Sequence, residues 1–112
     1  MKKKINGKKK GSAYEQDLAR KFREVGYPEC VTSRSESKNL DDKGIDLCYT
    51  GKWQIQAKAQ ESIRPSAHEI LNNMPKGNNL LFWKKNRKGT IICMTEELFF
   101  KIMKIVDKHN EL

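Results

Sequence analysis

Asp46, Gln56 and Lys58 are the residues of this chain whose types and spacing suit one piece of chemistry. An acid, an amide oxygen and an ammonium on one rigid surface can hold a divalent ion against a phosphodiester and steer its hydrolysis. All three lie between Gly44 and Lys58, in G-I-D-L-C-Y-T-G-K-W-Q-I-Q-A-K, which reads as two short strands and a turn. On the second strand Trp53, Ile55, Ala57 and Ala59 alternate with Gln54, Gln56, Lys58 and Gln60, the period of a half-buried strand. On the first, Ile45, Leu47 and Tyr49 alternate with Asp46 and Cys48. If both apolar faces turn inward, Asp46, Gln56 and Lys58 project from the same side. That requires an odd connection, and Thr50-Gly51-Lys52 serves as a three-residue loop with Gly51 free to take positive φ. Tyr49 is then predicted to face Trp53, and Gly44 to lie opposite Lys58. A two-residue loop would put the polar sets on opposite faces, and the hydrophobic pattern decides against it.

Other elements must hold this hairpin. Ser12 to Val25 reads as an amphipathic helix with the stripe Tyr14, Leu18, Phe22 and Val25. Ser12 and Glu15 form a capping-box pattern, and Gly26 and Pro28 stop the helix. Glu15 has two readings, as the acid of that box and as a side chain leaning toward the polar face. Glu29 to Arg34 leans to β, and Ser35 to Lys43 reads as a polar loop. Arg34, Ser35, Ser37 and Lys38 make this loop a DNA-contact candidate, and an ordinary flexible connection is the other reading. Asp41 and Asp42 suit a turn better than a metal. Ser66 to Asn72 is a short helix with an S-x-x-E start. Leu80-Leu81-Phe82-Trp83 and Thr90-Ile91-Ile92-Cys93-Met94 are predicted as strands buried on both faces, joined by a basic loop from Lys84 to Gly89. Thr95 caps a last helix, whose apolar face (Leu98, Phe99, Ile102, Met103, Ile105, Val106) is wider than one small sheet needs. Part of that face suits a subunit contact.

A chain of 112 residues is expected to form one domain with a small core. Only 37% of it is hydrophobic, 33% is charged, and the net charge is +9, which suits a polyanionic partner, most simply nucleic acid. Lys2, Lys3, Lys4, Lys8, Lys9 and Lys10 crowd the start, so residues 1–10 are predicted as a disordered basic arm and 11–112 as the domain. The arm suits phosphate contact with no sequence preference, or solubility alone. No apolar segment follows the basic start, so no signal peptide is expected, and no run is long enough for a membrane helix. Cys30, Cys48 and Cys93 are odd in number and lack C-x-x-C spacing. They read as reduced core or near-core thiols of a cytoplasmic protein, without a zinc site. With only His68 and His109, a histidine relay or metal cage is improbable.

Taken together, G-S-A-Y-E with Glu15, the polar loop after Arg34, G-I-D-L with Asp46 and I-Q-A-K with Gln56 and Lys58 resemble the PD-(D/E)XK, or restriction-endonuclease-like, nuclease superfamily. Within it, the chain looks most like the small archaeal- and phage-type Holliday junction resolvases. The resemblance runs from Gly11 to about Val106. It implies an α-β-β-β-α-β-β-α order with a mixed central sheet flanked by helices. It also implies a Mg²⁺-dependent endonuclease acting on branched or duplex DNA as a homodimer, with Mn²⁺ able to substitute. Asp46 would be the principal metal ligand. Gln56 would fill the acidic ligand position, the carbonyl of Ala57 would complete the set, and Glu15 would be an outer or second-metal ligand. Lys58 would orient the attacking water and offset charge on the phosphorus centre. Arg34, Ser35, Ser37, Lys38, Lys8, Lys9 and Lys10 would contact DNA. The departure is Gln56, since magnesium prefers charged oxygens. Some members of the superfamily carry glutamine there, and Asp42, Glu61 or Glu15 are candidates to compensate. A non-catalytic or weakly catalytic DNA-binding module is the alternative. An RNA-binding accessory role is disfavoured by the lack of an aromatic stacking motif.

Overall fold

The computed structural model describes residues 7–110, with side chains from Lys10 onward. The chain runs α1 (Gly7–Glu24), β1 (Val31–Thr32), α2 (Ser33–Glu36), α3 (Lys38–Asp42), β2 (Leu47–Cys48), β3 (Trp53–Ala59), α4 (Ala67–Asn73), β4 (Asn78–Lys85), β5 (Gly89–Cys93) and α5 (Glu96–His109). It is an α+β globule in which helices pack on two small sheets.

The larger sheet has the order β3-β4-β5 and is mixed. Strands β3 and β4 are parallel, with Ile55 opposite Leu80 and Lys58 opposite Trp83. Parallel neighbours need a long crossover, and residues 60–77, with α4 inside them, supply it. Strands β4 and β5 are an antiparallel pair around the basic turn. The smaller sheet pairs β1 with β2. Tyr14, Leu18 and Ala19 of α1 close over Leu47, Ile55, Ala57 and Leu80, with Leu98 of α5 completing the core. Caps sit where the sequence placed them at two helices. Ser66 Oγ accepts from Glu69 N at 3.3 Å, and Thr95 Oγ1 accepts from Leu98 N at 3.2 Å.

Four expectations need correction. The helix starts at Gly7 and not at Ser12, so residues 7–10 belong to α1. Residues 1–6 of the expected arm, and the side chains of Lys8 and Lys9, lie outside the described residues. Ser12 is therefore inside a helix, where its Oγ accepts from Gln16 Nε2 at 3.4 Å, and no capping box with Glu15 exists. Val25 falls past the helix end and is 74% exposed.

The segment from Ser35 to Lys43 is not a loop but mostly helical, in α2 and α3. Ser37 makes the break between them, its Oγ accepting from Leu40 N at 3.3 Å.

The predicted central hairpin is not a regular ladder. β2 spans two residues and pairs with β1. Asp46 N donates to Ile55 O at 2.7 Å, but Asp46 O accepts from Ser33 N at 2.8 Å, so the return bond to β3 is missing. Tyr49 takes φ 62°, turns outward and donates to Glu36 Oε1 at 3.3 Å, leaving buried Thr50 to hold Trp53 O at 2.6 Å. The α-β-β-β-α-β-β-α order thus holds for the strands and three longer helices, with α2 and α3 added.

Finally, β4 is buried on both faces at Leu80 and Leu81, but β5 is not. It is the edge strand, and Ile91 and Ile92 are exposed.

Ile55 is fully buried at the middle of the core. Ile55→Ala is expected to cost about 2–5 kcal/mol in urea unfolding, as core truncations do. Val25→Ala is expected to change stability by less than about 0.5 kcal/mol. A cost of under 1 kcal/mol at Ile55 would show that the core does not centre on β3.

Candidate active site

Alternation along β3 puts Gln56 and Lys58 on one face, away from core residues Ile55 and Ala57. Both line an open hollow with Asp42, Gly44, Ile70 and Met74. Gly44 has φ +78°, and a Cβ there would sit 3.1 Å from Gln56 Oε1. The close approach of backbone to amide is therefore a second reason for glycine at this position, besides the left-handed φ.

Asp46 reaches the same strand from its edge. β3 uses its other edge to pair with β4, so Ala57 N–H is left without a ladder partner. Asp46 Oδ2 accepts it at 2.7 Å. N–H and C=O of one strand residue leave on the same side. The Ala57 carbonyl thus leaves from the same edge of β3. Oδ1 of Asp46 makes no hydrogen bond among the described residues. One carboxylate oxygen is thus engaged with the strand and the other is not.

Asp46 is only 9% exposed. Burial pushes its carboxyl up from 3.8 to about 7. The Ala57 N–H opposes the shift, the Glu15 charge adds to it, Lys58 opposes it and Asp41 adds to it. Asp46, Glu15, Lys58 and Asp41 thus share one electrostatic neighbourhood. A buried acid held so far from its ordinary value within the field of a lysine is a mark of functional sites.

Glu15 does come to this place, but not as a free ligand. Its carboxylate is buried and clamped by Arg34, with Nη2 to Oε2 at 2.8 Å and Nε to Oε1 at 3.2 Å. Arg34 is raised above its ordinary value chiefly by that hydrogen bond. Nothing local in the sequence signals a pairing across nineteen positions. Ser35 spends its hydroxyl proton on Thr32 O at 2.9 Å. Ser37, used as an acceptor at its cap, keeps its proton to donate. Lys38 is exposed and pairs with Asp42 Oδ2 at 3.4 Å. Glu61 Oε2 accepts from Asn86 N at 3.0 Å. Lys10 Nζ donates to Asn86 Oδ1 at 3.2 Å, which brings the start of α1 against the basic β4–β5 turn. Lys84 Nζ lies 5.7 Å from the centre of the Tyr14 ring.

The oxygens of Asp46, Gln56 and the Ala57 carbonyl are of the donor type that a hard divalent cation takes. Magnesium is commonly held by one or two carboxylates with water and substrate phosphate. Among the described residues no three His, Cys, Asp or Glu side chains form a metal group, and no disulfide links the cysteines. Glu15 does not fit a second ion while Arg34 holds both its oxygens. No helix among the described residues is long and apolar enough to cross a membrane. No protein-family model matches this chain, and neither a curated protein nor a solved structure matches it.

Folded Asp46 keeps its proton to about pH 7, whereas the unfolded chain releases it near 3.8. Between those values unfolding releases a proton, so stability falls as pH rises, and the cost is complete above pH 7. It amounts to roughly 4 kcal/mol. Asn at this position stays neutral and can still accept from Ala57 N. Asp46→Asn is therefore expected to gain about 2 kcal/mol or more at pH 8 and little at pH 4, read from urea melts across pH. Destabilisation at pH 8 with none at pH 4 would mean instead that the charge of Asp46 holds the fold together.

Proposed function

We propose that this protein is a Mg²⁺-dependent, structure-specific DNA endonuclease of the PD-(D/E)XK type, closest in kind to the Holliday junction resolvases. The observation that carries the reading is Asp46: a buried acid anchored on the Ala57 N–H, on the strand that carries Gln56 and Lys58. Burying an acid against its ordinary ionisation lowers stability, and a bound cation would repay that.

Asp46, Gln56 and the Ala57 carbonyl would hold the ion. A magnesium or manganese ion supplies Lewis-acid charge to the phosphodiester when bound. Lys58 then places a positive charge beside the phosphate oxygens, where negative charge grows as water adds to phosphorus and the P–O bond to the leaving group breaks. Ser37 offers a hydroxyl proton to a phosphate oxygen, and Lys38 an exposed charge. On the other flank, Lys10, Lys84, Lys85, Arg87 and Lys88 gather around the β4–β5 turn, which follows the end of β3 that carries Lys58. Such a surface suits a DNA backbone and makes binding salt-dependent.

Gln56 in the acidic position and Glu15 held by Arg34 favour a second reading, a DNA-binding module with a degenerate site. Labelled four-way junction, duplex and single strand, each with Mg²⁺, Mn²⁺ or EDTA, separate the two. Junction nicking with either metal is expected, lost by about 10³-fold in Asp46→Asn and Lys58→Ala. Gln56→Glu is expected to lower the metal concentration needed for half-maximal rate. Tight binding without nicking in any metal favours the module.

We further propose a homodimer built on the apolar surface of β5 and α5. Ile91 and Ile92 of the edge strand are exposed, as are Phe99, Met103, Ile105 and, at 57%, Phe100. Exposed apolar residues of this number on an edge strand and the next helix mark an interaction surface. Sedimentation is expected to give a dimer that Phe100→Glu converts to a folded monomer. A wild-type monomer at micromolar concentration would remove this face from the proposal.

A further inference from the structure

This inference rests on the nuclease reading and concerns the state of its metal site. We propose that Arg34 is an exchange switch: it clamps Glu15 until DNA arrives, then passes to a backbone phosphate and releases the Glu15 carboxylate to join Asp46 in holding a divalent cation.

The clamp closes the site as it stands. Arg34 engages both oxygens of Glu15, at 2.8 and 3.2 Å. A guanidinium fork binds a carboxylate or a phosphate with the same pair of parallel donors. Exchanging one for the other needs no new chemistry on Arg34.

The two partners differ in access. The Glu15 side chain is 6% exposed and that of Arg34 36%. An incoming phosphate can reach the guanidinium, whereas the carboxylate faces inward. Arg34 is therefore the partner that moves. Its backbone is well placed for this role, because the preceding residue, Ser33, donates its N–H to Asp46 O at 2.8 Å. Arg34 thus starts from the immediate surroundings of Asp46. The neighbours on its own segment, Ser37 and Lys38, are the phosphate donors already described.

Charge explains why the two ligands would depend on each other. Glu15 and Asp46 repel one another, and Arg34 offsets that repulsion. Taking Arg34 away leaves a buried carboxylate uncompensated. A cation between Glu15 and Asp46 restores the balance. Phosphate without cation, or cation without phosphate, leaves one charge unpaired, so binding of the two should be mutually favourable.

Free Mn²⁺ measured by electron paramagnetic resonance in the presence of protein tests this without turnover. Wild type, Arg34→Gln, Arg34→Lys, Glu15→Gln and the Arg34→Gln/Glu15→Gln double variant are compared, with folding checked by thermal melts in EDTA. Without DNA, Arg34→Gln is expected to bind Mn²⁺ about ten-fold more tightly than wild type, and the double variant should lose that gain. Arg34→Lys, a single point donor, should fall between the two, and it serves as the reporter if Arg34→Gln does not fold. In the Lys58→Ala background, where DNA is not cut, duplex DNA should tighten Mn²⁺ binding about ten-fold, and adding an Arg34 substitution should abolish the effect. Mn²⁺ affinity that is unchanged or weaker in both Arg34 variants overturns the switch and leaves the nuclease reading standing. A gain that survives in the double variant also overturns it. If no protein binds Mn²⁺ with or without DNA, the metal-site reading fails, and the switch fails with it.

Discussion

Asp46 accepting the Ala57 N–H at the edge of β3 is the contact on which the rest of the site depends. A strand that pairs on one side only presents a row of unpaired amides and carbonyls on the other. Here one of those amides is closed by a side chain instead of a second strand. That substitution stops the ladder between β2 and β3 and brings a carboxylate into the interior. The position of the acid at the edge of β3 follows from this one hydrogen bond.

Asp46 meets Glu15 and Asp41 on the unfavourable side and Lys58 on the favourable side. Arg34 answers Glu15 with two bonds. A doubly charged ion or a phosphate arriving there would shift several of these partners. A centre built only for stability would replace such groups by apolar ones of similar volume.

The elements around the site are short. β1 and β2 span two residues each, and α2 and α3 are single turns or little more. Their positions are set by contacts with Asp46 and Ser37 and not by burial of long apolar faces. α5, in contrast, has more apolar surface than the sheet can cover. It buries Leu98 in the core and leaves Phe99 and Phe100 outside. The hydrophobic material of this chain is thus spread beyond one compact core.

Strict alternation along β3 was readable in the sequence, because period 2 admits only one way to bury Ile55 and Ala57 together. The same holds for the caps at Ser66 and Thr95, where a hydroxyl meets an amide three residues away. The placing of Gln56 and Lys58 on one face of β3 was legible for the same reason, since residues two apart on a strand share a face. The register that β2 adopts, the left-handed turn at Tyr49 and the helical course of α2 and α3 were not legible. Each depends on backbone groups finding partners far along the chain, as Asp46 O does in Ser33 N. The sequence by itself determined which residues alternate and which amides are capped, because those interactions reach only a few positions. Only the tertiary structure decided that Arg34 holds Glu15 and that β5 lies at an open edge, because long-range pairing is settled by competition among all available partners at once.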